Sequence, residues 1–288
     1  MKIILVPLSG GPDDEARLTA GFELAKRFGA HVDALHVKPD PAEALHATSM
    51  AFPGALMESV LEAGARHAEE AAGQVRALFE SRRAEHDIAI REQPPLGESA
   101  STAWHEVIGK ESLVVALRAR LADLTVVSRP LEETPAPATL EAALLDSGKP
   151  VLVLPPTDAT PAAPSLGNNI AIAWNGSTVA AKAVAAARHF LIAAERVTVL
   201  SLHEGKAGQV PVTDLLDHLA WHDVRAQAMT FEARSGHIGE ALLREAETLG
   251  ADLLVLGGYG TSLTREMLLG GVTRHMLGHA KLPLFMMH

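Results

Sequence analysis

The sequence predicts an α/β protein built as two tandem, doubly wound parallel-sheet domains, and three observations carry that prediction. One order of short apolar runs and helical stretches occurs twice along the 288 residues. The apolar runs are continuous, as expected of strands covered on both faces by helices. The composition is 48% hydrophobic but only 4% aromatic, so the cores must be filled by Ala, Leu, Val and Ile.

The stretch Pro155–Pro164 holds four prolines and little to bury, and reads as the linker. It sets the domains at 1–156 and 165–288. The first half opens on the strand Ile3–Leu8, closed by Ser9-Gly10. The second opens on Ile170–Trp174, closed by Asn175-Gly176-Ser177. A helix follows each. Glu15–Phe28 carries Leu18, Phe22 and Ala25 and meets a stop at Gly29; Ser177–Ile192 starts on Ser177, a good N-cap. The next strands are Val32–Val37 and Val197–His203. Later, Ala122-Asp123-Leu124-Thr125-Val126-Val127-Ser128 is answered by Ala251-Asp252-Leu253-Leu254-Val255-Leu256-Gly257. The halves close on Lys149–Leu154 and Lys281–Met286. Strands alternating with helices in this way imply a parallel sheet in each half.

The formal net charge of −10 argues against a nucleic-acid partner, which needs a basic surface. The absence of cysteine excludes disulfides, thiolate catalysis and cysteine zinc sites. No stretch approaches the ~18 apolar residues of a membrane span. The start, Met1-Lys2-Ile3-Ile4-Leu5-Val6-Pro7, has too short an apolar run for a secretory signal. The expectation is a cytoplasmic protein.

The most informative chemistry lies near the C-terminus. Leu253–Leu256 runs into Gly257-Gly258-Tyr259-Gly260; after nine intervening residues comes Gly270-Gly271-Val272-Thr273. Glycine lets a backbone approach an anion without a Cβ in the way, and a helix start offers unpaired N–H groups and a positive dipole end. One reading is a cradle for nucleotide phosphates. The other is a tight turn and a close helix contact, which use glycine for steric reasons alone. In doubly wound sheets ligands sit at strand carboxyl ends where the strand order reverses, and these turns lie at strand carboxyl ends.

These residues resemble the universal stress protein family in its tandem form. The family's nucleotide motif, Gly-x-x-Gly, nine residues, then Gly and a Ser or Thr, is matched by Gly257, Gly260 and Gly270. Gly271 stands where the hydroxyl residue is usual, and Thr273 follows two positions later. The resemblance implies Rossmann-like domains of the adenine nucleotide alpha hydrolase type. It also implies a stress-response regulator that binds an adenine nucleotide, ATP first and ADP or AMP as alternatives, with Mg2+ as a companion of the nucleotide. Carried over by residue, Ala173, Trp174 and Asn175 would flank adenine and ribose, and Leu202 would read the adenine edge through its backbone. Gly257, Gly260, Gly270, Gly271, Val272 and Thr273 would surround the phosphates. Asn175 replaces the family's usual Asp, a departure that touches metal and ribose contacts. The family's habit of pairing last strands implies that Val151–Leu154 and Pro283–Met286 meet, making the chain a pseudo-dimer. A homodimer of tandem chains is the expected assembly; the sequence names no protein partner.

The first half lacks the glycine motif. No glycine occurs between Gly109 and Gly148, Ser128 stands opposite Gly257, and Arg129-Pro130 follow. One nucleotide site per chain is expected, in the second half. The first half is then a structural partner, or binds something else through the insertion at Pro39–Met57.

Ser9-Gly10-Gly11-Pro12-Asp13-Asp14 resembles the pyrophosphate loop of ATP pyrophosphatases, with Asp14 in place of the final Ser. Its plainer reading is an acidic helix start. His275 and His279 share a helix face and would need a third ligand such as His288 to hold zinc, against the plainer reading of histidines at a helix end. Arg265 and Arg274 flank Gly270-Gly271 as candidate phosphate partners or solvated side chains. No Gly-x-Ser-x-Gly elbow or Walker loop is present. No carboxylate or histidine in the cradle is placed as a base for attacking water, so the expectation is a binding protein and not an enzyme. The alternatives are a pyrophosphatase-like enzyme using Ser9–Asp14, and a stress protein that holds no nucleotide and works through partners.

Overall fold

The computed structural model describes residues 1–40, 54–93, 99–129, 138–156, 166–202, 209–234, 236–258 and 271–288. They form two compact units, 1–126 and 127–288. In the first unit β1 (Ile3–Leu8) lies between β2 (His31–Lys38) and β5 (Leu124–Ser128), and β4 (Ser101–Ile108) and the short β3 (Ala89–Ile90) continue beyond β2, all parallel. In the second unit β7 (Asn169–Trp174) lies between β8 (Arg196–Leu202) and β10 (Leu253–Gly257). Outside these run β9 (Ala226–Phe231) on one side and β11 (Leu284–Met287) on the other. This is the mixed, mostly parallel α/β architecture that the repeated pattern predicts.

The strands are apolar because both faces are covered. Ile4, Val6, Val32 and Leu124 are fully buried in the first unit, as are Ile170, Val199, Leu254 and Val255 in the second. Helix α1 (Asp14–Phe28) lays Leu18, Phe22 and Ala25 on the first sheet and ends at Gly29, whose φ of 58° is the left-handed cap expected there. Its Gly21 permits this docking, since a Cβ there would stand 2.8 Å from Val6 Cγ2. The long α2 (Gly54–Glu85) brings Phe79 to within 6.3 Å of the Phe22 ring and 5.3 Å of the Trp104 ring. Trp104 in turn stacks on His36. Helix α3 (Glu111–Ala119) leads back to β5. Of the insertion at 39–57, residues 41–53 lie outside the described residues.

In the second unit α4 (Ala138–Asp146) precedes β6 (Val151–Leu154). β6 runs antiparallel to β11, with Leu152 opposite Phe285 and Val153 opposite Leu284. The two final strands therefore pair as expected, and this pairing draws β6 into the second unit. The helical stretch after β7 is broken at Ala187 into α5 (Thr178–Ala186) and α6 (Arg188–Ala193). Helices α7 (Val212–Ala220), α8 (Ile238–Thr248) and α9 (Gly271–His279) also belong to the unit. Among the described residues no helix is long and apolar enough to cross a membrane.

The twice-repeated Ala-Asp has a shared cause. Asp123 accepts hydrogen bonds from the Lys2 and Ile3 amides at 2.5 and 3.1 Å, where β1 begins. Asp252 accepts from the Gly167, Asn168 and Asn169 amides at 2.9–3.0 Å, where β7 begins. Each carboxylate satisfies amides at a strand start that the ladder leaves open.

Candidate functional site

The reversal of strand order in the second unit falls between β7 and β10. Their register aligns Ile172 with Val255, so two residues on, Trp174 and Gly257 end their strands side by side. Ser201 lies beside Trp174, and Leu202 ends β8 one step beyond. Ala173, Trp174, Asn175, Leu202 and Gly257 are thus gathered at one carboxyl edge, the edge at which such sheets take ligands. Gly271, Val272 and Thr273 form the first turn of α9. Gly260, Gly270 and Arg265 lie outside the described residues.

The turn after β7 is built from local hydrogen bonds. Asn175 Oδ1 accepts from the Ser177 amide at 3.1 Å, and Ser177 Oγ accepts from the Ala180 amide at 3.3 Å as the N-cap of α5. Gly176 has φ 69°, and a Cβ there would meet the Val210 backbone at 2.7 Å. Trp174 is buried and donates its indole N–H to the Val210 carbonyl at 3.1 Å. Nothing in the sequence announces Val210 as this partner, because it lies 36 residues from Trp174.

The glycines have different reasons to be glycine. A Cβ on Gly257 would fall 2.6 Å from the Val179 carbonyl carbon and 2.7 Å from the Ala180 amide, so this position is glycine because α5 begins against it. The Gly258 amide donates to Met287 O at 2.8 Å, within the sheet edge. Gly271 is exposed and its φ is not positive. Among the described residues a Cβ there would meet nothing within 4 Å. Thr273 is 5% exposed, Val272 is half-buried, and Arg274 is exposed on the same helix.

His275 and His279 stack with ring centroids 4.3 Å apart, and His279 Nδ1 lies 3.0 Å from the His275 carbonyl oxygen. Burial and the neighbouring His279 lower the His275 pKa, against an opposing pull from Glu240. His288 Nδ1 instead lies 3.3 Å from Gly258 O. Among the described residues no group of three potential ligands is arranged to hold a metal ion.

The corresponding positions of the first half are filled by the chain's own side chains. Asp14 is fully buried, accepts from the Ser9 and Gly10 amides at 3.2 and 2.8 Å, and pairs with Arg17. After Ser128, Arg129 is 6% exposed and reaches the end of α9, donating to the carbonyl oxygens of Leu277, Gly278 and Ala280. Neither arrangement was read from the sequence. The i,i+3 spacing of Asp14 and Arg17 is a signal for the first; nothing local announces the second.

Two doubly wound units with parallel strands and helices between them define an α/β protein of the Rossmann type. The model of the universal stress protein family matches residues 1–155 and 168–288, and the chain belongs to that family as a tandem of two such domains. A universal stress protein from Archaeoglobus fulgidus has a similar structure, at 14% identity, covering 99% of this chain and 95% of that one with a TM-score of 0.70. A putative universal stress protein from Pseudomonas aeruginosa gives 15% identity, 100% and 93% coverage and a TM-score of 0.57. A protein of unknown function from the same species gives 16%, 100% and 92%, and 0.53. At these identities the likeness concerns the fold. No curated protein matches the chain significantly. Membership of the family supports a stress-response role.

Proposed function

We propose that the second domain binds an adenine nucleotide, ATP first and ADP or AMP as alternatives, and that binding regulates the protein with little or no turnover. The observation that carries this reading is Gly271. Among the described residues it opens a nine-residue helix, has no positive φ and would place a Cβ within 4 Å of nothing, so no described neighbour requires glycine there. The first amides of α9 have no partner within the helix, and the dipole there favours anions. Phosphates approaching this end, together with Gly260 and Gly270 of the motif, account for glycine where packing does not. Mg2+ would come with the nucleotide, since Asn175 supplies no carboxylate. Trp174 would contribute as a fixed wall and not as a mobile clamp, because its N–H is engaged by Val210. The reading assigns no catalytic residue, and extends to a cytoplasmic homodimer of tandem chains.

A second reading, a stress protein that holds no nucleotide and acts through partners, draws on the engaged Gly258 amide and the buried Trp174. Isothermal titration with ATP and Mg2+ separates the two. Saturable binding at one site per chain, weakened by Gly260→Val, is expected. No heat and no thermal shift at millimolar ATP, with folding intact, would leave the second reading. Light scattering tests the dimer.

A further inference from the structure

The turn after β1 encloses an anion. Asp14 Oδ1 accepts from the Ser9 amide at 3.2 Å and Oδ2 from the Gly10 amide at 2.8 Å. Arg17 Nη2 donates to Oδ1 and lies 3.2 Å from Ser9 Oγ, while Nη1 donates to Pro7 O at 2.9 Å. Arg17 is 8% exposed, and its Nε is buried with no hydrogen-bond partner among the described residues. Consecutive amides, the second on a glycine with φ +81°, form a concave nest that favours negative charge. A buried guanidinium beside the nest is the standard partner of planar or tetrahedral oxyanions. A plain acidic helix start requires none of this. It needs only a carboxylate near the first turn, commonly solvated, and it does not use amides that precede the helix. Burying a charge is costly unless its partners are in place, and here they converge on the side chain of Asp14.

We propose that the Ser9–Asp14 turn is an oxyanion receptor whose resident ligand is the chain's own Asp14 carboxylate. Phosphoryl groups are kept out of the first domain by that occupant, and removing it opens the turn to inorganic phosphate. Ser9 and Gly10 are exposed, so the oxygens of a phosphate that exceed the carboxylate's volume project into solvent. The unpartnered Arg17 Nε supplies a further donor.

The test is Asp14→Ala in the full chain, titrated with inorganic phosphate and followed by urea unfolding and by 31P line broadening. Inorganic phosphate reads this turn without relying on the nucleotide reading of the second domain. In phosphate-free buffer the variant should unfold at lower urea than the parent. Its midpoint should then rise saturably with phosphate, as for any ligand that binds only the folded state, and by more than the parent's at matched ionic strength, the parent reporting whatever the second domain takes up. The double variant Asp14→Ala/Arg17→Leu should respond no more than the parent. If Asp14→Ala fails to fold without phosphate, refolding yield becomes the readout, and phosphate should restore it. A folded Asp14→Ala that responds to phosphate no more than the parent, a misfolded one that phosphate does not rescue, or a double variant that responds as strongly as the single one each overturns the proposal.

Discussion

Arg129 donates to the carbonyl oxygen of Ala280 from both Nε and Nη2, at 3.2 and 2.7 Å. Its Nη1 adds the carbonyls of Gly278 and Leu277 at 2.8 and 3.4 Å. These groups end α9, the helix whose opposite end carries Gly271. The last carbonyls of a helix have no partner within it and carry the negative end of its dipole. One buried guanidinium therefore closes the helix from a position that the sequence marks only as the place where a glycine turn is missing.

Arg129→Met should destabilise the protein by roughly 2–4 kcal/mol, since it leaves buried carbonyls without a charged donor. Arg129→Lys should recover only part of that, because an ammonium cannot serve three carbonyls in a plane. Urea midpoints with unchanged slope check both. A midpoint equal to the parent's for Arg129→Met would show that the carbonyls find other donors.

Asp252→Ala should cost about 2–4 kcal/mol, because three amides at the start of β7 lose one shared acceptor. Hydrogen exchange should show the Gly167, Asn168 and Asn169 amides opening before the rest of the sheet. Protection unchanged at those three positions would count against the carboxylate as their anchor.

The architecture was legible because it rests on local signals. Continuous apolar runs mark parallel strands, Gly29 ends α1, Ser177 begins α5, and the repeated Ala-Asp locates β5 and β10. The candidate site was legible only where glycine spacing carries it. Spacing does not separate Gly257, which a neighbouring helix start forces to be glycine, from Gly271, where no described residue does. Other features depend on pairs distant in sequence. Trp174 with Val210 is 36 residues apart and Arg129 with Ala280 is 151. No periodicity encodes such pairs.

Asp33 gives the first unit an acid-sensitive contact. His105 Nε2 and His31 Nε2 lie 3.1 and 3.3 Å from its Oδ1, and His31 Nδ1 lies 2.8 Å from Ser101 Oγ. Burial works to raise the Asp33 pKa, but the hydrogen bonds and charges of His105 and His31 outweigh it and hold the carboxyl well below its usual range. A carboxylate with a depressed folded pKa contributes stability above its unfolded value, about 4, and loses it as pH falls toward the folded value. Asp33→Asn should therefore lower stability at pH 7, and its deficit should shrink below about pH 4. Parallel urea titrations of parent and variant across pH 2–7 check this; a deficit that is constant with pH would contradict it.

Gly257 and Gly271 separate packing from ligand contact. A Cβ at Gly257 would lie 2.6 Å from the backbone of α5, which is fixed by the Ser177 cap and cannot yield as a side-chain end could. Gly257→Ala should cost about 1–3 kcal/mol, with or without nucleotide, as overpacking does. Among the described residues a Cβ at Gly271 would meet nothing within 4 Å, and alanine favours a helix over glycine by about 0.8–1 kcal/mol. Gly271→Ala should leave stability unchanged or raised by a few tenths of a kcal/mol, since the position is the helix's first. If phosphate approaches the backbone there, the longer Gly271→Val side chain should weaken ATP binding at least tenfold while the unfolding midpoint holds. Melting curves with and without ATP read both effects on the same samples. A Gly271→Val protein that binds ATP as the parent does would remove the phosphate from this helix end.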